Sequence, residues 1–267
     1  MVKSIAHPTD FSEGSARAFA HALRLALATK STLELLHVTS DETERDWTSF
    51  PHVRPLLAAW GMLEADASPH DIQARLGIEV RKIEIRHQHP ALGLFEFFLS
   101  HRPDLIVLST HGREGPHRWL SGSVSEELAS HSHVPTLFFG PNARGFVDST
   151  TGQMWLKRIL MPIAQTPSPT LALTTLNTFL ASLGVASAST RYLHVGDDPL
   201  LLPGVAEVEQ KRGDVVDTIL AAAVEGQAEL IVMPTAGRHG FLDALRGSTT
   251  EQVLRQACCP VLAVRAA

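Results

Sequence analysis

The chain contains itself twice, and this repeat constrains its fold more than any other feature. Asp104-Leu105-Ile106-Val107, Ser109-Thr110-His111-Gly112-Arg113 and Gly122-Ser123 follow one another in the first copy. They recur 125 residues later as Glu229-Leu230-Ile231-Val232, Pro234-Thr235-Ala236-Gly237-Arg238 and Gly247-Ser248. Across residues 104–139 this ungapped shift gives 13 identities in 36 positions, far above accident. Leu36-His37-Val38 likewise recurs as Leu193-His194-Val195, and Lys3, Ile5 and Pro8 match Lys157, Ile159 and Pro162. The offset changes from 154 to 157 to 125, so the second copy lacks roughly thirty residues that correspond to 45–76 of the first. That stretch carries Val53, Leu56, Leu57, Trp60 and Leu63 at helical spacing, which predicts one extra helix with its loops. The division is therefore a first domain over 1–142, a Gly/Ser/Thr/Pro-bearing linker over 143–154 and a shorter second domain over 155–267.

Each copy alternates short apolar strands with amphipathic helices. Lys3–Ala6, Thr32–Val38, Ile78–Ile85, Leu105–Leu108 and Val134–Phe139 read as strands. Ser12–Ala28, Pro90–Ser100 and Ser123–His131 read as helices, the first with Phe19, Leu23 and Leu27 on one face. Leu105–Leu108 is apolar throughout, which suits a strand buried on both faces. In the second copy, Ser168 is the expected N-cap, Pro169 the first helical residue and Gly184 the stop. Strict alternation of this kind predicts an α/β fold: two tandem Rossmann-like or flavodoxin-like domains, each a parallel sheet with helices on both faces.

Composition narrows the partners. Of 267 residues, 44% are apolar, enough for real cores, and the formal net charge of −5 carries no basic footprint for nucleic acid. No run of 18 apolar residues exists to span a membrane, and the N-terminal segment lacks a signal-peptide core, so a cytoplasmic placement is expected. The adjacent Cys258 and Cys259 form no disulfide framework and read as small buried residues. The chain has no P-loop, no G-x-G-x-x-G after its first strand, no G-x-S-x-G elbow, no H-E-x-x-H and no paired C-x-x-C.

In open parallel sheets, ligands bind beyond the carboxyl ends of the strands where the strand order reverses. Three clusters of the first copy lie at such ends: Pro8-Thr9-Asp10-Phe11-Ser12, His37-Val38, and Ser109 to Ser125. In the last, Gly112 and Gly122 bracket a nine-residue loop ahead of Ser123-Val124-Ser125-Glu126, a capping box mirrored by Ser248-Thr249-Thr250-Glu251. Such boxes can simply start helices. Alternatively, the free amides of the helix start, with the Ser123 and Ser125 hydroxyls, would receive phosphates, the glycines letting the backbone approach. Arg113 and Arg238 fit either a phosphate or a solvated surface. Asp10 could cap the following helix, a task open to Ser12 as well, or accept a hydrogen bond from a nucleobase or ribose. Val38 could offer backbone groups to the same base.

Pro8-Thr9-Asp10-Phe11-Ser12, Leu36-His37-Val38 and Thr110-His111-Gly112-Arg113 through Gly122-Ser123-Val124-Ser125 resemble the universal stress protein family, in its tandem two-domain form. The family's phosphate motif is Gly, two residues, Gly, nine residues, Gly, then Ser or Thr. Here Ser109 stands for the first Gly, and Pro234 stands there in the second copy. The resemblance implies a five-stranded parallel sheet per domain in the order 3-2-1-4-5, with ATP or another adenine nucleotide in the cleft. By that analogy Asp10 meets the adenine or ribose side, Val38 meets the base, and Gly112, Gly122, Ser123 and Ser125 hold the phosphates, with Ser109 contributing backbone. Pro8, Thr9, Arg113 and Val124 complete the expected site, and His111 could contact phosphate or assist hydrolysis. Mg2+ would accompany a triphosphate. The family pairs along the last strand of each sheet, so the two copies are expected to form an internal pseudo-dimer, and further homodimerisation is compatible with the chain. Ala164 replaces Asp10 in the second copy and Pro234 removes an amide donor there, so binding is expected mainly in the first domain.

Fourteen histidines remain to be placed. His87-x-His89 and His131-x-His133 would suit a metal if both rings shared a face, but exposed surface histidines are the expected reading. His37 and His194 recur at equivalent positions, either structural or lining the cleft. A stress-response protein regulated by its nucleotide is the leading functional reading. A slow ATP hydrolase in the same cleft, or a nucleotide-free scaffold, are the alternatives, and no base–nucleophile pair is visible to compel hydrolysis.

Overall fold

A computed structural model describes residues 2–40, 47–110, 134–205, 207–235 and 248–266. The first repeat supplies strands β1 (Ser4–Pro8), β2 (Thr32–Thr39), β3 (Val80–Arg86), β4 (Leu105–Ser109) and β5 (Thr136–Phe139). The second supplies β6 (Arg158–Pro162), β7 (Ser189–Val195), β8 (Glu209–Lys211), β9 (Leu230–Thr235) and β10 (Val261–Arg265). All ten form one sheet in the order β3-β2-β1-β4-β5-β10-β9-β6-β7-β8. Each half is parallel and reads 3-2-1-4-5 in its own numbering. The halves meet at β5 and β10, which pair antiparallel with Leu262 opposite Leu137. The last strands of the two halves thus cover one another, as the family resemblance implies, and neither leaves its backbone groups open.

The helices follow from local signals. In α1 (Glu13–Thr29) the Ser12 hydroxyl accepts the Ser15 amide, and Lys30 in a left-handed conformation ends the helix. Its Phe19, Leu23 and Leu27 face the sheet with Ile5, Leu33 and Leu105. The equivalent α5 (Thr170–Ser182) starts one residue later than the sequence suggests. Pro169 occupies the N-cap position without a side-chain cap, while the Ser168 hydroxyl lies 3.1 Å from that of Thr170. Gly184, at φ +68°, ends the helix as expected. The other described helices are α4 (Pro90–Ser100), α6 (Val215–Glu225) and α7 (Thr249–Gln256).

The segment unique to the first repeat is not one helix. It contains α2 (Val53–Ala59), a turn through Gly61 at φ +66°, then a short α3 (Pro69–Asp71) and a π-helical turn over Ile72–Leu76. The break has a local cause, because Ser68 and Asp71 close a reciprocal capping box that starts a new helix. Phe50, Val53, Leu57, Trp60, Leu63 and Ile72 join the main core, which runs without interruption into the second repeat through Leu176 and Phe179.

The connecting residues 143–154 are packed rather than loose. Phe146 is fully buried, and Val147 bridges Met154. Arg17 and Arg24 of α1 donate to the Ala143 and Gly152 carbonyls, and Trp60 Nε1 donates to the Ser149 carbonyl. At the centre sits His21, whose Nε2 accepts the Val147 amide while Nδ1 lies 2.9 Å from the Arg17 carbonyl oxygen. Burial holds this histidine neutral, lowering its pKa to about 4. Gly145 allows the close packing: a Cβ there would lie 2.1 Å from His21 Cε1. No helix among the described residues is long and apolar enough to cross a membrane.

Candidate functional site

The strand order reverses between β1 and β4 in the first half and between β6 and β9 in the second, which creates two clefts at the carboxyl ends of the strands. In the first half, the residues after β1 form a tightly bonded knot. The Thr9 amide donates to the Leu36 carbonyl at the end of β2. The Thr9 hydroxyl accepts from the Phe11 amide and from the Ser15 hydroxyl at 2.9 Å. One Asp10 carboxylate oxygen accepts the Ser12 amide at 3.1 Å. The helix cap is therefore Ser12, and Asp10 instead shapes the turn that enters it.

Beneath this turn, His7 is fully buried. Its Nδ1 lies 2.8 Å from the Val107 carbonyl oxygen of β4, and its Nε2 lies 3.4 Å from Ser15 Oγ. Desolvation lowers its pKa to about 4, so the ring is a neutral clamp between β1 and β4, directly under the reversal point. Above the turn, Phe11 adopts φ +62° and stacks on His37 with 4.1 Å between ring centroids. Phe50, from the inserted segment, meets both rings edge-on.

His37 Nδ1 lies 2.8 Å from the Thr9 carbonyl oxygen, and His194 Nδ1 lies 3.0 Å from that of Ile163. The recurrent histidine thus has one job in both copies: it ties the end of the second strand to the loop after the first. The same correspondence holds at the opposite end of the sheet. Asp104 accepts the Lys3 and Ser4 amides, and Glu229 accepts those of Lys157 and Arg158.

Of the residues expected at the first cleft, Pro8, Asp10 and Ser109 line one crevice together with Ser15 and Leu108. Val38 stands at the end of β2, paired with Ile85, and packs beside Gly93 of α4. Thr9 is buried within the knot. His111, Gly112, Arg113, Gly122, Ser123, Val124 and Ser125 lie outside the described residues. Between the described walls the crevice holds about 10 Å3, room for one water molecule. His7, Ser15 and Phe50 were missed by sequence reasoning; the only signals were polar residues embedded in apolar runs and an aromatic in a loop.

The second cleft differs in size and chemistry. It holds about 370 Å3 between the ends of β6, β7 and β9 and the start of α7, with Ala164 and Pro234 where the first copy has Asp10 and Ser109. The Ser248 hydroxyl accepts the Glu251 amide, and the Glu251 carboxylate pairs with Arg255 at 2.6 Å. Gly237 and Arg238, with Gly247, lie outside the described residues. Elsewhere, His87 Nδ1 accepts the His89 amide within its own turn, and no metal-ligating cluster of three or more side chains occurs among the described residues. Cys259 is buried, Cys258 is partly exposed, and both are free thiols.

Two Rossmann-like repeats fused through their fifth strands, each with a switch-point cleft, define a tandem α/β protein. The model of the Universal stress protein family matches residues 1–139 and 201–265, and the chain belongs to that family. It is 29% identical over 143 residues to Universal stress protein MJ0531 of Methanocaldococcus jannaschii, covering 51% of this chain and 81% of that protein. Two solved structures share the whole fold. A universal stress protein from Archaeoglobus fulgidus aligns with TM-score 0.61 and 21% identity, covering 98% of this chain and 96% of its own. A functionally unknown protein, PA1789 of Pseudomonas aeruginosa, aligns with TM-score 0.64 and 16% identity, covering 99% and 93%.

Proposed function

We propose that the chain is a cytoplasmic stress-response protein that binds an adenine nucleotide in its N-terminal cleft and acts through the bound state rather than through catalysis. The observation that carries this reading is the meeting of Asp10 and Ser109 in one crevice at the reversal point of the first sheet. Asp10 is a hydrogen-bond acceptor suited to a ribose hydroxyl or an adenine amino group. Ser109 opens the segment whose Gly112, Gly122, Ser123 and Ser125 suit phosphates, with Mg2+ as the companion of a triphosphate. Val38, at the end of the neighbouring strand, can present its backbone to the base.

Ser12 takes over the helix cap, so the carboxylate of Asp10 is not required for that purpose. The crevice between the described walls is smaller than a nucleotide, so binding on this reading widens it. Mass spectrometry of small molecules released by denaturing the purified chain tests the proposal. Adenine nucleotide in substantial molar ratio is expected, and its absence even after incubation with MgATP would overturn the reading.

A further inference from the structure

The C-terminal cleft is roomy, apolar and carries two unanswered hydroxyls. Thr235 is 4% exposed and Thr250 is 5% exposed, both line the cleft, and neither hydroxyl has a hydrogen-bond partner among the described residues. Buried polar groups are ordinarily paired, so two such threonines lining one cavity point to a guest that completes them. Thr235 shares the inner face of β9 with Met233, and Thr250 stands in the first turn of α7. The Glu251 and Gln252 amides are held by Ser248, while those of Thr249 and Thr250 have no carbonyl one helical turn earlier to receive them.

The chemistry of the guest follows from the walls. Ile163, Val195, Ile219 and Met233 offer an aliphatic surface, and no charged side chain lines the cleft among the described residues. A volume of about 370 Å3 lies at the lower end of small-molecule sites. A nucleoside finds less here than in the first copy: Ala164 offers no carboxylate, and Pro234 offers no amide. A single oxygen acceptor, by contrast, can take hydrogen bonds from both threonine hydroxyls and from the open amides of α7. The nearby Glu251 does not repel a carboxylate strongly, because Arg255 pairs with it.

We propose that the C-terminal cleft binds a small aliphatic molecule with one carbonyl or carboxylate head, its chain against Ile163, Ile219 and Met233 and its head on Thr235 and Thr250. The two halves of the chain then serve different ligand classes from the same topological position. The proposal stands independently of nucleotide binding in the first domain.

Decanoate is a suitable probe, titrated into the full-length chain by calorimetry with MgATP as competitor. Saturable binding of one decanoate per chain is expected, unaffected by MgATP. The double variant Thr235→Val/Thr250→Val keeps the shape and removes both hydroxyls, and it should bind decanoate three- to tenfold more weakly, the equivalent of about 0.6–1.4 kcal/mol. Its unliganded melting temperature should equal or exceed that of the parent chain, since unsatisfied hydroxyls are lost. Ala164→Phe, which adds a ring to the lining from the loop after β6, should abolish decanoate binding. Absence of saturable binding, equal affinity in the threonine double variant, or displacement of decanoate by MgATP would each overturn the proposal.

Discussion

Acidification from pH 7 to pH 5 should weaken this fold through two particular histidines. His7 and His21 are buried and neutral, each with its pKa lowered by desolvation from 6.5 to about 4. The folded value lies below the unfolded one, so the unfolded chain binds more protons between those limits. Their contribution is fully present above pH 6.5 and is lost as the pH falls towards 4. At pH 5 each histidine should have removed about 2 kcal/mol of stability, about 4 kcal/mol together, against a typical total of about 5–15 kcal/mol. Glu34, whose pKa is raised by burial, opposes this trend, since its folded form takes up protons first. The assay is urea unfolding at several pH values, with His21→Gln as the control. The amide of Gln can still meet the Arg17 carbonyl and the Val147 amide, so the variant should fold and should lose about half as much stability over the same range. A parent chain that loses less than about 1 kcal/mol, or a variant with an undiminished slope, would refute the assignment of His7 and His21 as buried neutral clamps.

Three further outcomes are expected. Gly145→Ala places a methyl group against the His21 ring and should cost about 1–3 kcal/mol by thermal unfolding; a neutral substitution would show that the connecting segment does not dock on α1. Phe146→Ala leaves a cavity at a fully buried position and should cost about 3–5 kcal/mol in the same assay, whereas a loose linker would predict almost none. Asp10→Ala should weaken adenine-nucleotide affinity by about 1–3 kcal/mol, since a charge-assisted bond is lost from a partly buried site.

Much of the architecture was legible because the repeat made each weak signal count twice. The all-apolar run at Leu105–Leu108 predicted a strand buried on both faces, and β4 lies inside the sheet between β1 and β5. The family resemblance, with its pairing along the last strand of each sheet, implied the join that β5 and β10 make. Less was legible where a single local feature decided the outcome. Gly61 and the Ser68–Asp71 box split the inserted helix, and a box closed by Asp rather than Glu is easily passed over. Residues 143–154 have the composition of a linker, yet Phe146 anchors them and His21 binds them from a distant helix, which no local pattern records. At the clefts, comparing Asp10 with Ala164 exposed the change of chemistry, but the volume of the second cleft depends on packing between elements far apart in sequence.

The central claim concerns the first cleft, and calorimetric titration of MgATP into the full chain and into Asp10→Ala tests it most directly. One saturable site per chain is predicted, with affinity reduced by roughly five- to 150-fold in the variant, the equivalent of about 1–3 kcal/mol. Two equal sites per chain, or a dissociation constant that ignores Asp10, would contradict it.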